Sequence, residues 1–118
     1  MKKITLIFRH APHGSAKARE GLDFALLSAS FEQEVSIIFA DEGVLNLLPG
    51  QTPEVIGAKD FIAAFKALPL YDIEQVYACQ QSLLDYSLTA EAAGIPVETK
   101  TPEQIATLLT QADEVFVY

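Results

Sequence analysis

The stretch Glu74-Gln75-Val76-Tyr77-Ala78-Cys79-Gln80-Gln81-Ser82-Leu83-Leu84 decides the fold. Its first five residues read as a short buried strand, and from Gln80 the pattern changes to the start of a helix. A strand that runs directly into a helix is the repeating unit of a parallel α/β sheet. The change falls on Cys79, the only cysteine of the chain. In open α/β sheets ligands bind in the crevice at the carboxyl ends of the strands. A lone thiol at that edge is either a small buried hydrophobe or a reactive group.

Reading outward from this point, strand and helix patterns alternate. Ile4 to Phe8, Val35 to Ala40, Ile73 to Ala78, Ile95 to Glu98 and Glu114 to Tyr118 are predicted strands. The first two are almost wholly apolar, as strands covered on both faces are. Ala16 to Ser30 is predicted helical, with Leu22, Ala25, Leu26 and Ala29 at helical spacing. Thr52-Pro53-Glu54 and Thr101-Pro102-Glu103 are strong helix starts: a capping hydroxyl, a proline at the first helical position, and an acid at the positive end of the dipole. The first of these helices should run to about Ala67 and the second to about Gln111. Ser82 to about Ala93 should be helical, broken near Ser87 with Thr89 capping a second piece and Gly94 ending it. Asp41 to Thr52 is a connection too rich in leucine for a surface loop, and a short packed helix fits it. The expectation is one α/β domain over residues 1–118, a three-layer α/β/α unit on a five-stranded, mainly parallel sheet of flavodoxin-like or Rossmann-like type with right-handed crossovers.

Composition limits the function. A chain of 118 residues buries roughly two-thirds of its unfolded surface and needs no disulfide or metal to fold. One cysteine forms no internal bridge, which points to a reducing compartment. The start lacks a signal-peptide pattern, and no apolar run approaches the roughly 20 residues of a membrane helix. A cytoplasmic protein without membrane contact is expected. Sixteen acids against eight bases give a net charge of −8, a field that repels a phosphate backbone and argues against direct nucleic-acid binding. Half of the residues are hydrophobic, a surplus that suggests a buried subunit interface.

Four features carry candidate chemistry. The loop over 10–19 has Gly14, Ser15, Lys17 and Arg19 near a helix N-terminus, which can hold an anion. It matches neither G-x-G-x-x-G nor G-x-x-x-x-G-K-[ST], and a turn glycine with a capping serine explains it equally. His10 and His13 are the only histidines. No third ligand lies near them, so no metal is expected. They read as surface or interface residues, and service as a base toward Cys79 requires the first and third strands to be neighbours. Asp41 and Glu42 follow the second strand, where an acid can meet a ribose hydroxyl or Asp41 can cap the next turn. Cys79 itself is open to both readings. A helix N-terminus stabilises a thiolate, the species that persulfide transfer requires. Against this stand the apolar flanks Tyr77 and Ala78, the lack of a resolving cysteine, and the lack of a cation nearby in sequence.

The blocks Ala11-Pro12-His13-Gly14-Ser15-Ala16-Lys17-Ala18-Arg19-Glu20-Gly21-Leu22-Asp23, Leu47-Leu48-Pro49-Gly50-Gln51 and Tyr71-Asp72-Ile73-Glu74-Gln75, with the arrangement ending in Cys79, resemble the TusC/DsrF-like members of the DsrE/F-like family. The resemblance spans nearly the whole chain and is clearest from Lys3 to Cys79. It implies a cytoplasmic sulfur-relay subunit in a heterohexamer with TusB-like and TusD-like subunits, two copies of each. Sulfur-carrier proteins feed and drain such a relay, and its product is the 2-thiolated wobble uridine of tRNA. In that resemblance the accepting cysteine belongs to the TusD-type subunit, so Cys79 is a candidate sulfur acceptor by position alone. No cofactor is implied. The alternative from a different class is a flavodoxin-like nucleotide- or flavin-binding module using the 10–19 loop and Asp41.

Overall fold

The computed structural model describes residues 2–10, 17–47 and 65–118. Five strands form one sheet in the order β4-β3-β2-β1-β5: β1 (Lys3–Phe8), β2 (Glu34–Phe39), β3 (Gln75–Cys79), β4 (Glu98–Lys100) and β5 (Glu114–Val117). Every pairing is parallel. Helix α1 (Lys17–Ser30) follows β1, α2 (Gln80–Asp85) follows β3, and α3 (Pro102–Gln111) follows β4. Two 3₁₀ segments, Asp41–Leu47 and Leu68–Tyr71, lie between β2 and β3.

This order explains the layers. From β1 to β4 each new strand is added on the same side of the last, so right-handed crossovers put the described parts of these connections on one face. From β4 to β5 the chain returns across the sheet, so among the described helices α3 alone falls on the opposite face. The packing follows. The main core joins Ile4, Leu6 and Phe8 of β1 and Val35, Ile37 and Phe39 of β2 to Leu22 and Ala25 of α1, to Val44 and Leu47, and to Leu83 of α2. Phe8, Phe39 and Phe65 form its aromatic centre, with ring centroids 5.3–5.4 Å apart. The opposite face carries a much smaller cluster of Ile7, Ile38, Cys79 and Ile105. Alternation along each strand sorts the residues: Phe8 and Ala78 point to one layer, Ile7 and Cys79 to the other.

The expected α/β architecture is present, with differences of detail. The fourth strand is Glu98–Lys100 rather than Ile95 to Glu98. Ile95 is buried, but it packs into the main core from the connection ahead of the strand, and Pro96 brings no N–H for a ladder. A short edge strand with exposed residues leaves no apolar signal. The helix after β3 starts at Gln80, where the sequence pattern first turns helical, and ends at Asp85. The break near Ser87 is real: Ser87 has φ of 56°, and Thr89 caps a 3₁₀ turn over Ala90–Ala92 by accepting from the Ala92 N–H. Of the leucine-rich connection, Asp41–Leu47 is the packed short helix expected, with Val44 and Leu47 buried. The predicted Thr52 start, most of its helix, and residues 11–16 of the first loop fall outside the described residues.

Candidate functional site

Cys79 ends β3 and is the N-cap residue of α2, but its side chain does not cap that helix. The residue is 7% exposed. Strand alternation turns its side chain onto the α3 face, into the cluster with Ile7, Ile38 and Ile105, flanked by Ala40, Tyr77, Leu108 and Leu109. Helix α3 lies over this cluster. Thr101 accepts from the Gln104 N–H at 3.2 Å and Gln104 accepts from the Thr101 N–H at 2.9 Å, a reciprocal capping box that fixes the start of the helix. The thiol therefore sits at the level of the crevice but beneath a helix.

The structure also gives Cys79 a basic neighbour across the ladder that the linear sequence concealed. Lys100 on β4 is the register partner of Cys79. Its ammonium lies 5.4 Å from the Tyr77 ring centroid and 3.5 Å from Glu98 Oε2. Twenty-one positions of chain separate the two residues, so reading neighbours along the sequence missed the pair.

The carboxyl-end crevice is built from β1, β2 and the 3₁₀ segment. Gly43 lies so close to the end of β1 that a Cβ there would stand 1.7 Å from the Phe8 carbonyl oxygen. Asn46 is buried and donates from Nδ2 to the carbonyls of His10 and Gly43, each at 2.9 Å, while its Oδ1 has no partner. Ser82 of α2, also buried, accepts from the Asp41 N–H at 2.8 Å. Neither Asn46 nor Ser82 stood out in the sequence, although an asparagine within Val44-Leu45-Asn46-Leu47 was a readable signal of a buried polar tie.

The other candidates separate. Asp41 does not offer a free acid to a ribose, nor does its side chain cap the next turn: its carboxylate accepts from Arg9 Nε at 2.6 Å. Asp41 and Arg9 are both about half exposed. His10 is exposed at the end of β1. The first and third strands are not neighbours, because β2 lies between them. At about 4.8 Å per strand their backbones stand about 10 Å apart, which removes the ground for His10 as a base toward Cys79. His13 and the Gly14-Ser15 turn lie outside the described residues. Among the described residues no group of three His, Cys, Asp or Glu side chains could hold a metal ion, and no helix is long and apolar enough to cross a membrane. Tyr118, packed against Gly21 at the start of α1, has its phenol pushed up by burial and, to a lesser degree, by the Glu20 carboxylate.

A parallel α/β sheet whose one thiol is held at the strand edge beneath the returning helix defines the class, and the chain belongs to the DsrE/DsrF-like family, whose model matches residues 2–118. Within it the chain is similar to the protein TusC homolog of Aliivibrio fischeri, 36% identical with both chains covered completely. It is also similar to protein TusC of Escherichia coli, 47% identical over 88 residues, 75% of this chain and 74% of the relative. Among solved structures the ychN protein of E. coli superposes with a TM-score of 0.85 at 21% identity over the full length of both chains. A conserved protein of unknown function from Bacteroides thetaiotaomicron gives 0.73 at 13% identity, covering 99% and 95%. These two share the fold. The flavodoxin-like alternative finds no support in the family match.

Proposed function

We propose that the chain is a TusC-type subunit of a cytoplasmic sulfur relay that passes persulfide sulfur toward 2-thiolation of the tRNA wobble uridine. It works in a heterohexamer with TusB-like and TusD-like subunits, supplied and drained by sulfur-carrier proteins, and residues 1–118 act as one domain. Its part is to position and shield a partner's accepting cysteine rather than to accept sulfur itself. The observation that carries this division of labour is the burial of Cys79 between Ile7, Ile38 and Ile105. Persulfide transfer is a displacement: an acceptor thiolate attacks the terminal sulfur of a donor persulfide, a new S–S bond forms, the old one breaks, and the donor leaves as a thiolate. That attack needs an approach path to the acceptor sulfur, and α3 occupies the space above Cys79. The net charge of −8 accords with a subunit separated from tRNA by carriers.

The test is Cys79→Ser in cells that depend on this relay, read as the 2-thiouridine content of their tRNA. A serine hydroxyl fills nearly the same volume and cannot carry sulfur. Thiolation is expected to persist. Its collapse, with the complex still assembled, would move the acceptor role to Cys79.

A further inference from the structure

A cleft of about 660 Å³ opens at the opposite end of the sheet from Cys79, where β2 and β3 begin. Two turns wall it. In one, past the end of α1, the Glu32 N–H donates to the Ala29 carbonyl at 3.1 Å. In the other, past Leu68–Tyr71, the Asp72 N–H donates to the Pro69 carbonyl at 3.1 Å. Ala29 and the buried Val35 and Ile73 give the cleft an apolar floor, and Tyr71 stands exposed on its wall. Phe31 and Leu70, the chain neighbours of the lining residues Glu32 and Tyr71, are 70% and 84% exposed. Large apolar side chains gathered in water and rimmed by polar groups mark a protein-binding surface. The rim here is acidic: Glu32, Glu34, Asp72 and Glu74 line the cleft, and no lysine or arginine does. None of the four forms an ion pair among the described residues. The lysines nearby do not balance them. Lys2 lies 3.7 Å from Glu114, Lys3 is the register partner of Glu34, and Lys66 shares a neighbouring cavity with Glu74. With Asp113 and Glu114, which stand at the same end beside Lys3 and Lys2, six carboxylates face three ammoniums.

We infer that this cleft docks a cationic segment of another protein, one that carries apolar side chains among its lysines or arginines. Charge selects this occupant. A second copy of the chain would bring the same acidic rim and a net charge of −8, and a nucleic acid would bring phosphates. A cationic segment meets carboxylates that have no partner of their own. Its apolar side chains meet the Val35 and Ile73 floor and the exposed Phe31, Leu70 and Tyr71. Complementary charge of this kind speeds encounter and fixes the register of docking. Cys79 ends β3 and the cleft lies where β3 begins, so a docked segment leaves the carboxyl-end crevice open.

The test uses the full chain and, as probe, a fluorescent amphipathic peptide of leucine and lysine at physiological ionic strength. Anisotropy reports affinity, and amide chemical shifts report the place of binding. Shifts confined mainly to residues 29–35 and 70–75 are expected. The variant E32Q/E34Q/D72N/E74Q keeps the side-chain shapes and removes the rim charge, so affinity should fall about 20-fold, slightly over twofold for each exposed pair. The variant F31S/L70S changes only side chains that are mostly in water, so the fold should survive, as circular dichroism will report, and affinity should fall about tenfold. D23N/E42Q/E91Q/E103Q removes the same charge from exposed positions elsewhere and should cost less than about threefold, because salt screens distant charges. A wild type that does not bind the peptide overturns the inference. So does equal weakening by the two charge variants, which would reduce the binding to the overall field of the protein. Binding unchanged by F31S/L70S, or a glutamate-for-lysine peptide that binds as well, also overturns it.

Discussion

Replacing Ile105 by alanine tests whether α3 is the barrier over Cys79. Ile105 is 8% exposed and is the one α3 side chain in the buried cluster with Ile7, Ile38 and Cys79. Buried isoleucine-to-alanine changes cost about 2–5 kcal/mol, scaling with the cavity left behind. The low end, about 2 kcal/mol, applies, because the cluster is small and the half-buried Leu108 and Leu109 can close in. If the thiol reacts only when α3 lifts away, and that motion is fast compared with labelling, the rate follows the open population. At 1.4 kcal/mol per decade, I105A should then label about 30-fold faster than wild type. The measurement is native-state reaction with a chromogenic aromatic disulfide, followed optically, with circular dichroism showing that the variant is folded. Ile105→Val, costing about 1 kcal/mol, should give about a fivefold gain. Two results would refute the reasoning. One is a wild-type thiol that reacts as fast as in denaturant. The other is an I105A protein that is destabilised as expected yet labels no faster, which would mean that reagents reach the thiol by a path that does not lift α3.

Three further outcomes follow from the same structure. Thr101→Ala removes the cap of α3 and should cost about 1 kcal/mol, with about fivefold faster labelling of Cys79 if the helix end governs access; Thr101→Ser should restore the slow rate. Gly43→Ala drives a Cβ into the backbone carbonyl of Phe8, so it should lose about 3 kcal/mol, the upper end for overpacking, in urea denaturation; wild-type stability would disprove the close approach. The Tyr118 phenol titrates above its ordinary value, so the folded state favours its neutral form. That contribution to stability is complete below the ordinary tyrosine pKa of about 10 and is lost as pH rises through the folded value. Glu20→Gln removes the smaller of the two causes and should lower the Tyr118 titration without returning it to normal, read by ultraviolet absorbance in a protein with Tyr71, Tyr77 and Tyr86 changed to phenylalanine.

Most of the architecture was legible because the central strands are buried on both faces. Leu6, Ile7, Ile37 and Ile38 are nearly or wholly buried, and such strands announce themselves as apolar runs. The β4 strand was misplaced because an edge strand buries little, while Ile95 and Pro96 next to it carried the apolar signal of a core loop. The position of Cys79 at the strand end was readable; its surroundings were not. Ile105, which lies 26 positions away, and Lys100, its partner across the ladder, come to it only through strand order. Strand order also removed His10 from Cys79. The side of the sheet on which each crossover falls decides these contacts, and local pattern does not encode it. Asp41 illustrates a different limit: its identity and place suggested a ligand or a cap, but Arg9, the residue just past a strand that runs beside its own, takes the carboxylate instead.

The strand order has a further consequence for synthesis. The first strand made is paired on one side by β2, which follows within about 30 residues, and on the other by β5, which closes the ladder from a position 110 residues away, where the Lys3 N–H donates to Asp113 Oδ2. A nascent chain can therefore stack β1, β2 and β3 early. It must hold the far side of β1 open until residue 117 has left the ribosome, and α3 crosses to cover Cys79 only in that last stretch. From the synthesis of Cys79 until that of Pro102–Gln111 the thiol and its isoleucine neighbours have no lid. Pairings of such large sequence separation are the slow steps of folding, so the interval before β5 docks is when this chain is most exposed to stray partners and to oxidants.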